Sequence, residues 1–394
     1  MMLCTKHQLR VRRGRRRALR TVFGSAAALF CILASDIACP AEFDDAAQER
    51  IEQHIAAVME ADNVPSFAVA IVHGRQTVYA QAFGFMNLKE QKPATIDTLY
   101  NIGSVTKTFT ATLLMILRDA GRLDLDDEVS RFLPETVELP KDAEGRVATL
   151  RHLAKHTSGL PTDPPNRNRA KRAGYNVADL YRDLKTVKLA SPVGQQWSYS
   201  NLGYGLLGHA LERTGGSTYE ELLKQLIFAP LGMDDSSISL EPDDRQRFAA
   251  HYWADLRIRR EMRPWTWGEI AANGGITSTV TDMAKYVAFQ LTEQDHETLP
   301  VSLASLREVR GQPLDPQPGA VQQCLGWMAS HTKQRGLWYE HGGEVDGQSS
   351  YVAFSPPLGA GFVVLSNLGG TTTTELARWM QQELHSSFST NGED

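Results

Sequence analysis

The chain has 394 residues, with 41 Lys and Arg against 46 Asp and Glu and a formal net charge of −5. Eight of the cations (Lys6, Arg10, Arg12, Arg13, Arg15, Arg16, Arg17 and Arg20) and one anion, Asp36, fall within residues 1–41, so the remainder stands at −12. That balance argues against nucleic acid and anionic membrane surfaces as partners, since both select basic patches.

The basic start is followed by an apolar run of 13 residues, Val22 to Ala34, and then by small residues up to Ala41. This is the pattern of a signal peptide over 1–41, and the run is too short to span a membrane. The mature chain is expected to cover 42–390 and to be exported, as a periplasmic or secreted protein. Cys39 offers a lipid-anchor site, but Asp36 stands where a lipoprotein signal would carry an apolar residue, so Ala41 is the preferred cleavage end. Cys4, Cys31 and Cys39 go with the leader, which leaves Cys324 alone and no intramolecular disulfide in the mature chain.

Hydrophobic periodicity predicts a helix over 44–61, then strands at 66–72 and 76–83 around the turn His73-Gly74-Arg75. Residues 104 to about 310 read mostly as helices broken by Gly and Pro. Strands return at 324–332, 337–341, 348–355 and 361–366, before a last helix near 373–386. There is no internal repeat and no low-complexity linker. Hairpins at both ends of a helical middle predict an α/β (α+β) fold: one antiparallel sheet built from both termini, from about 42–100 and 320–390, flanked by helices, with a mostly helical subdomain inserted over about 104–310.

Chemistry concentrates first at Ser104-Val105-Thr106-Lys107. Residues i and i+3 share a helix face, so Lys107 can hold its amine near the Ser104 hydroxyl, and a lysine deprotonated by burial can take the serine proton. Tyr100, Asn101 and Ile102 read as extended chain and Gly103 permits a sharp turn, which puts Ser104 at a helix N-terminus where N–H groups favour developing negative charge. Next, Tyr199 and Asn201 stand at the start of a helix that ends at Gly215-Gly216. A tyrosine near a cationic lysine is expected to have a lowered pKa, suited to relaying a proton. Third, His341-Gly342-Gly343 closes the strand GLWYEH, where glycines let a substrate lie against the backbone and the N–H of Glu344 can serve as an oxyanion donor.

The order Ser-x-x-Lys, Tyr-x-Asn, His-Gly-Gly, with LRHLAKHTSGLP, FAPLGMDDSSI and AANGGITSTVTDMAKY between them, resembles the serine β-lactamase and penicillin-binding protein family, and its class C-like branch in particular. The resemblance implies a β-lactamase/transpeptidase-like fold with its active site in the cleft between sheet and helical part. It implies Ser104 as the acylated nucleophile, Lys107 and Tyr199 as the proton-shuttling pair, Asn201 holding Lys107 and the substrate amide, and an oxyanion hole from the N–H groups of Ser104 and Glu344. Class C β-lactamases carry Lys-Thr-Gly where this chain has His341-Gly342-Gly343. Histidine is largely neutral at pH 7 unless a carboxylate raises its pKa, so carboxylate recognition should be weaker and pH-dependent, with any β-lactam activity increasing as pH falls and His341 becomes protonated. The expected substrate is therefore a D-aminoacyl peptide or amide or an ester, with β-lactam hydrolysis, or slow deacylation as a penicillin-binding sensor, as the alternatives.

Other features carry less. A second Ser-x-x-Lys, Ser330 to Lys333, falls on a predicted strand, where i and i+3 face opposite sides. His152 and His156 are four apart but lack a third ligand and read as structural. Tyr252, Trp253, Trp265 and Trp267 lie in an irregular aromatic stretch that could wall the substrate cleft or equally pin a long loop to the surface, and 163–172 is a polar, basic loop, solvated or a lid. No Gly-x-Gly-x-x-Gly turn, P-loop or Cys/His array occurs, so neither a cofactor nor a metal is expected.

Overall fold

The structure, a computed structural model, describes residues 43–165, 174–255, 258–262, 265–294, 299–311 and 321–389. The expected leader, with Cys39, lies outside them, as does most of the polar loop after Asp163. The strands in chain order are β1 (Ser66–His73), β2 (Gln76–Asn87), β3 (Lys92–Pro93), β4 (Tyr100–Asn101), β5 (His251–Asp255), β6 (Ile258–Met262), β7 (Thr277–Ser278), β8 (Val321–Gln323), β9 (Met328–Thr332), β10 (Gly336–Val345), β11 (Gln348–Ser355), β12 (Ala360–Ser366) and β13 (Leu368–Gly369). Eight of them form one antiparallel sheet in the order β3-β2-β1-β12-β11-β10-β9-β8, so strands from both ends of the sequence meet at β1 and β12, with Phe67 opposite Ser366 and Val72 opposite Gly361.

β1 reads SFAVAIVH rather than alternating with polar residues because helices cover both of its faces. Phe67, Val69 and Ile71 pack with Ile51 and Ile55 of the first helix (Asp45–Asp62) and with Leu376, Met380 and Leu384 of the last (Thr372–Ser389). Ala68, Ala70 and Val72 belong to the larger core on the other side, shared with the Val280–Gln290 helix. The first helix is bounded by the Asp44 side chain, which accepts from the Ala46 N–H, and by Asn63 in the left-handed region at φ 55°.

The helix that follows Ser104, Thr106–Asp119, is buried on all sides from Thr106 to Leu117. A helix with no wet face must satisfy its polar side chains internally. Thr108 donates to the Val105 carbonyl (2.8 Å), Thr110 to the Ala272 carbonyl (2.7 Å) and Thr112 to the Thr108 carbonyl (3.0 Å).

Two expectations need correction. β10 does not stop at His341 but continues to Val345, paired with β11 through Gly342 and Gly343, so His-Gly-Gly lies inside a strand. The stretch taken as irregular is a hairpin, β5–β6, whose β5 also pairs with β13 in a separate three-stranded sheet. Tyr252 is core there: it packs on the terminal-helix side, and its hydroxyl accepts from the Leu88 N–H (2.9 Å).

Candidate active site

Gly103 makes the turn before Ser104 at φ +51°, and β10 crosses so close that a Cβ at Gly103 would lie 2.7 Å from the Glu344 nitrogen. Ser104 follows in a short 3₁₀ turn, Gly103–Val105, whose leading N–H groups have no intrahelical acceptor. The nucleophile candidate, its own N–H and the Glu344 N–H are thus brought together by the contact of one strand with one turn. Gly343 serves that contact rather than a substrate: a Cβ there would sit 2.0 Å from the Ile102 carbonyl oxygen and 2.4 Å from Ser350 Oγ. At Gly342 the nearest atom would be a comfortable 3.5 Å away.

Around Ser104 Oγ stand Lys107 Nζ at 3.1 Å and the Tyr199 hydroxyl at 2.8 Å. Lys107 is fully buried and also donates to Asn201 Oδ1 (2.9 Å) and to the Asn273 carbonyl (2.5 Å). Burial lowers its pKa well below that of an ordinary lysine, while Asp163 pulls the other way. A neutral amine has two N–H groups and one lone pair. With both N–H groups taken by Asn201 and Asn273, the lone pair is left for the Ser104 hydroxyl.

Tyr199 departs from expectation. Desolvation pushes its pKa up to about 12, against the lowering effect of its bond to Ser104, so at neutral pH it is a protonated donor rather than a phenolate. It is set by the Asn201–Gly215 helix, which Ser200 caps by accepting from the Gly203 N–H (2.8 Å) and which Gly216 ends at φ 77°. Asn201 is oriented in turn, since its Nδ2 donates to Asp163 Oδ1 (3.0 Å) and so turns Oδ1 toward Lys107.

His341 is buried on the same face of β10 as Gly343, and its Nδ1 lies 2.7 Å from the Gly342 carbonyl, which makes Nδ1 the protonated nitrogen. Burial lowers its pKa to about 4, and Lys107 would add to that shift whenever it carries a proton. Glu344 contributes its backbone; its carboxyl, raised by burial, accepts from the Gly370 N–H. The open cleft of about 100 Å³ beside Ser104 is walled by Trp265, Trp267 and Ile270, with Asp163, Asn201 and Asp346 among its polar lining and no Lys or Arg among the described residues.

The remaining candidates separate cleanly. Ser330 lies in β9 with its hydroxyl engaged by Glu340 (3.2 Å). His152 caps its own short helix through Thr149. Among the described residues, His209, Glu212 and Glu269 bring ligand-type atoms within 4.8 Å of one another. Burial opposes charge on His209, but hydrogen bonds to Glu212 and Glu269 raise its pKa to about 9, and a protonated imidazole is an ion-pair partner rather than a metal ligand. Asp163 and the Asn273 carbonyl were missed from sequence. The first sits in a loop read as solvated, and the second is a backbone group with no side-chain signature.

The Beta-lactamase family pattern matches residues 51–386. The chain belongs to this family of serine hydrolases. It is 28% identical over 357 residues to the D-alanyl-D-alanine-carboxypeptidase/endopeptidase AmpH of Escherichia coli K12, covering 86% of this chain and 89% of that one. To the Beta-lactamase of the same organism it is 26% identical over 362 residues, covering 84% and 91%. The octameric penicillin-binding protein homologue from Pyrococcus abyssi superposes with a TM-score of 0.73 at 27% identity, over 84% of this chain and 76% of that structure. The β-lactamase/transpeptidase-like fold expected from the motifs is the observed one.

Proposed function

We propose that this β-lactamase-family hydrolase acts through a Ser104 acyl-enzyme on neutral acyl donors, namely esters and D-aminoacyl amides or peptides, and that it does so after export. Lys107 takes the Ser104 proton as Oγ bonds to the acyl carbon, and the carbonyl electron pair moves to an oxygen held by the Ser104 and Glu344 N–H groups. Tyr199, protonated beside Oγ, donates to the departing amine or alcohol. Water then releases the acyl group by the reverse transfers.

The observation that carries the substrate assignment is His341. A substrate carboxylate is held by a charge or a donor, whereas this imidazole is neutral and commits its N–H to Gly342. The rise in β-lactam activity with falling pH expected from an ordinary histidine needs correction: burial lowers the His341 pKa to about 4, so turnover should not rise as pH falls from 8 to 5.5. His341→Lys should raise β-lactam turnover relative to ester turnover by roughly ten- to a hundred-fold, the worth of a charge-assisted hydrogen bond at about 1.5–3 kcal/mol. Parallel kcat/KM measurements on p-nitrophenyl esters, D-alanyl amides and a cephalosporin decide it. Cephalosporin hydrolysis by the unmodified protein near the diffusional ceiling at pH 7.5, with esters poor, would reverse the assignment in favour of a β-lactamase. A penicillin adduct that forms on Ser104 and persists would instead indicate a sensor.

Export rests on the leader-like pattern of 1–41. N-terminal sequencing of exported material should find a start near Glu42. A lipidated Cys39 or a retained Met1 contradicts that cleavage.

A further inference from the structure

The Tyr199 hydroxyl reaches Ser104 only while the backbone at 198–200 stays where it is, in the extended approach to the Asn201–Gly215 helix. His156 brackets that segment. Its carbonyl accepts from the Ser198 N–H (2.7 Å) and its Nδ1 from the Ser200 N–H (3.0 Å), one bond on each side of Tyr199. Its ring lies against the Tyr199 ring with centroids 4.4 Å apart, and 4.9 Å from that of Tyr204, whose own hydroxyl is tied to the Ala154 carbonyl (2.8 Å). The residue is buried and sits at φ +57°, a left-handed conformation uncommon for residues with a side chain and best tolerated by Asn, Asp and His.

We propose that His156 is a positioning residue for the hydrolytic reaction, a clamp on residues 198–200 that keeps the Tyr199 hydroxyl at hydrogen-bonding distance from Ser104. An accepting Nδ1 carries no proton, and burial lowers the His156 pKa to about 2, so the clamp holds across the working pH range. The proposal rests on the reading of Ser104 as nucleophile and deepens it.

Two variants test it. His156→Phe keeps a ring between Tyr199 and Tyr204 but leaves the Ser200 N–H without its acceptor. His156→Asn places Oδ1 where Nδ1 lies and tolerates positive φ. Measured on an ester with active sites titrated, His156→Phe should lose roughly ten- to a hundred-fold in kcat with KM little changed, because displacing a catalytic group by about 1 Å is enough for that. His156→Asn should recover most of the loss. Should His156→Phe fail to fold, His156→Gln, whose acceptor lies one bond farther out, replaces it. A folded His156→Phe with unmodified kcat overturns the clamp, as does a His156→Asn no better than Phe while both lose Tm equally. Fluorophosphonate labelling of the unmodified protein keeps the two readings apart. No adduct on Ser104 sinks the serine mechanism itself, whereas an adduct with unaltered variant kinetics sinks only the role of His156.

Discussion

Replacing Ser104 with alanine should leave a folded protein that takes up no fluorophosphonate and has lost roughly four to six orders of magnitude in kcat, because only oxyanion stabilisation and binding remain once a nucleophile is gone. The substitution removes a hydroxyl from a site whose other groups are held independently: Lys107 by Asn201 and Asn273, and Tyr199 by the chain around it. Folding should therefore be little affected, and near-identical thermal unfolding of the two proteins is part of the expected result. Lys107→Met should be almost as inactive, since it deletes the lone pair that receives the serine proton. Ser330→Ala should behave as the unmodified protein does. Intact mass spectrometry after labelling reads all three, and an adduct on Ser330, or activity retained in Ser104→Ala, would remove Ser104 from the mechanism.

Gly343→Ala should be nearly as damaging to activity and should also cost stability. The added methyl would meet the Ile102 carbonyl at 2.0 Å, and backbone cannot swing aside as the end of a flexible side chain can. That carbonyl is further pinned by the Ser350 hydroxyl (2.7 Å) and the Val105 N–H (3.2 Å). Relief has to come from β10 lifting off the turn that carries Ser104, which moves the Glu344 N–H away from where the oxyanion forms. Overpacking of this kind costs about 1–3 kcal/mol, and a donor displaced by about 1 Å costs on the order of a hundred-fold in kcat. Gly342→Ala, one residue away with 3.5 Å of clearance, is the control and should lose neither stability nor activity appreciably. Equal behaviour of the two variants in thermal unfolding and ester turnover would show that the strand–turn contact does not set the oxyanion site.

The groups legible from sequence are those whose signal is local. Ser104 and Lys107 share a face by helical spacing, and Tyr199 and Asn201 flank a cap, Ser200, that announces a helix start. The terminal strands were readable because burial on both faces leaves unbroken apolar runs such as that of β1. What escaped was set by distant packing. The Asn273 carbonyl reaches Lys107 across 166 positions, and His156 acts through its own backbone and one ring nitrogen, so neither leaves a trace that spacing could reveal. Tyr199 was recognised, but the direction of its pKa shift was not. Charge proximity was weighed and desolvation was not, and in a fully packed site desolvation is the larger effect. Gly342-Gly343 was read as room for a substrate, whereas the second glycine makes room for the protein's own chain.

The meeting of β1 with β12 orders events in time. Phe67 finds its partner Ser366 only after nearly three hundred further residues have been made, and such distant pairings form slowly. Arg50 waits longer still for Glu383, 333 positions away, as does the His54 ring for Trp379. Ser104 and Lys107 are likewise made long before Glu344, whose N–H comes to the turn at Gly103 only when β10 is laid down. On the proposed mechanism, a chain that ends before Glu344 would hold Ser104 and Lys107 without the second N–H of the oxyanion site, so a truncation there should be inactive toward esters.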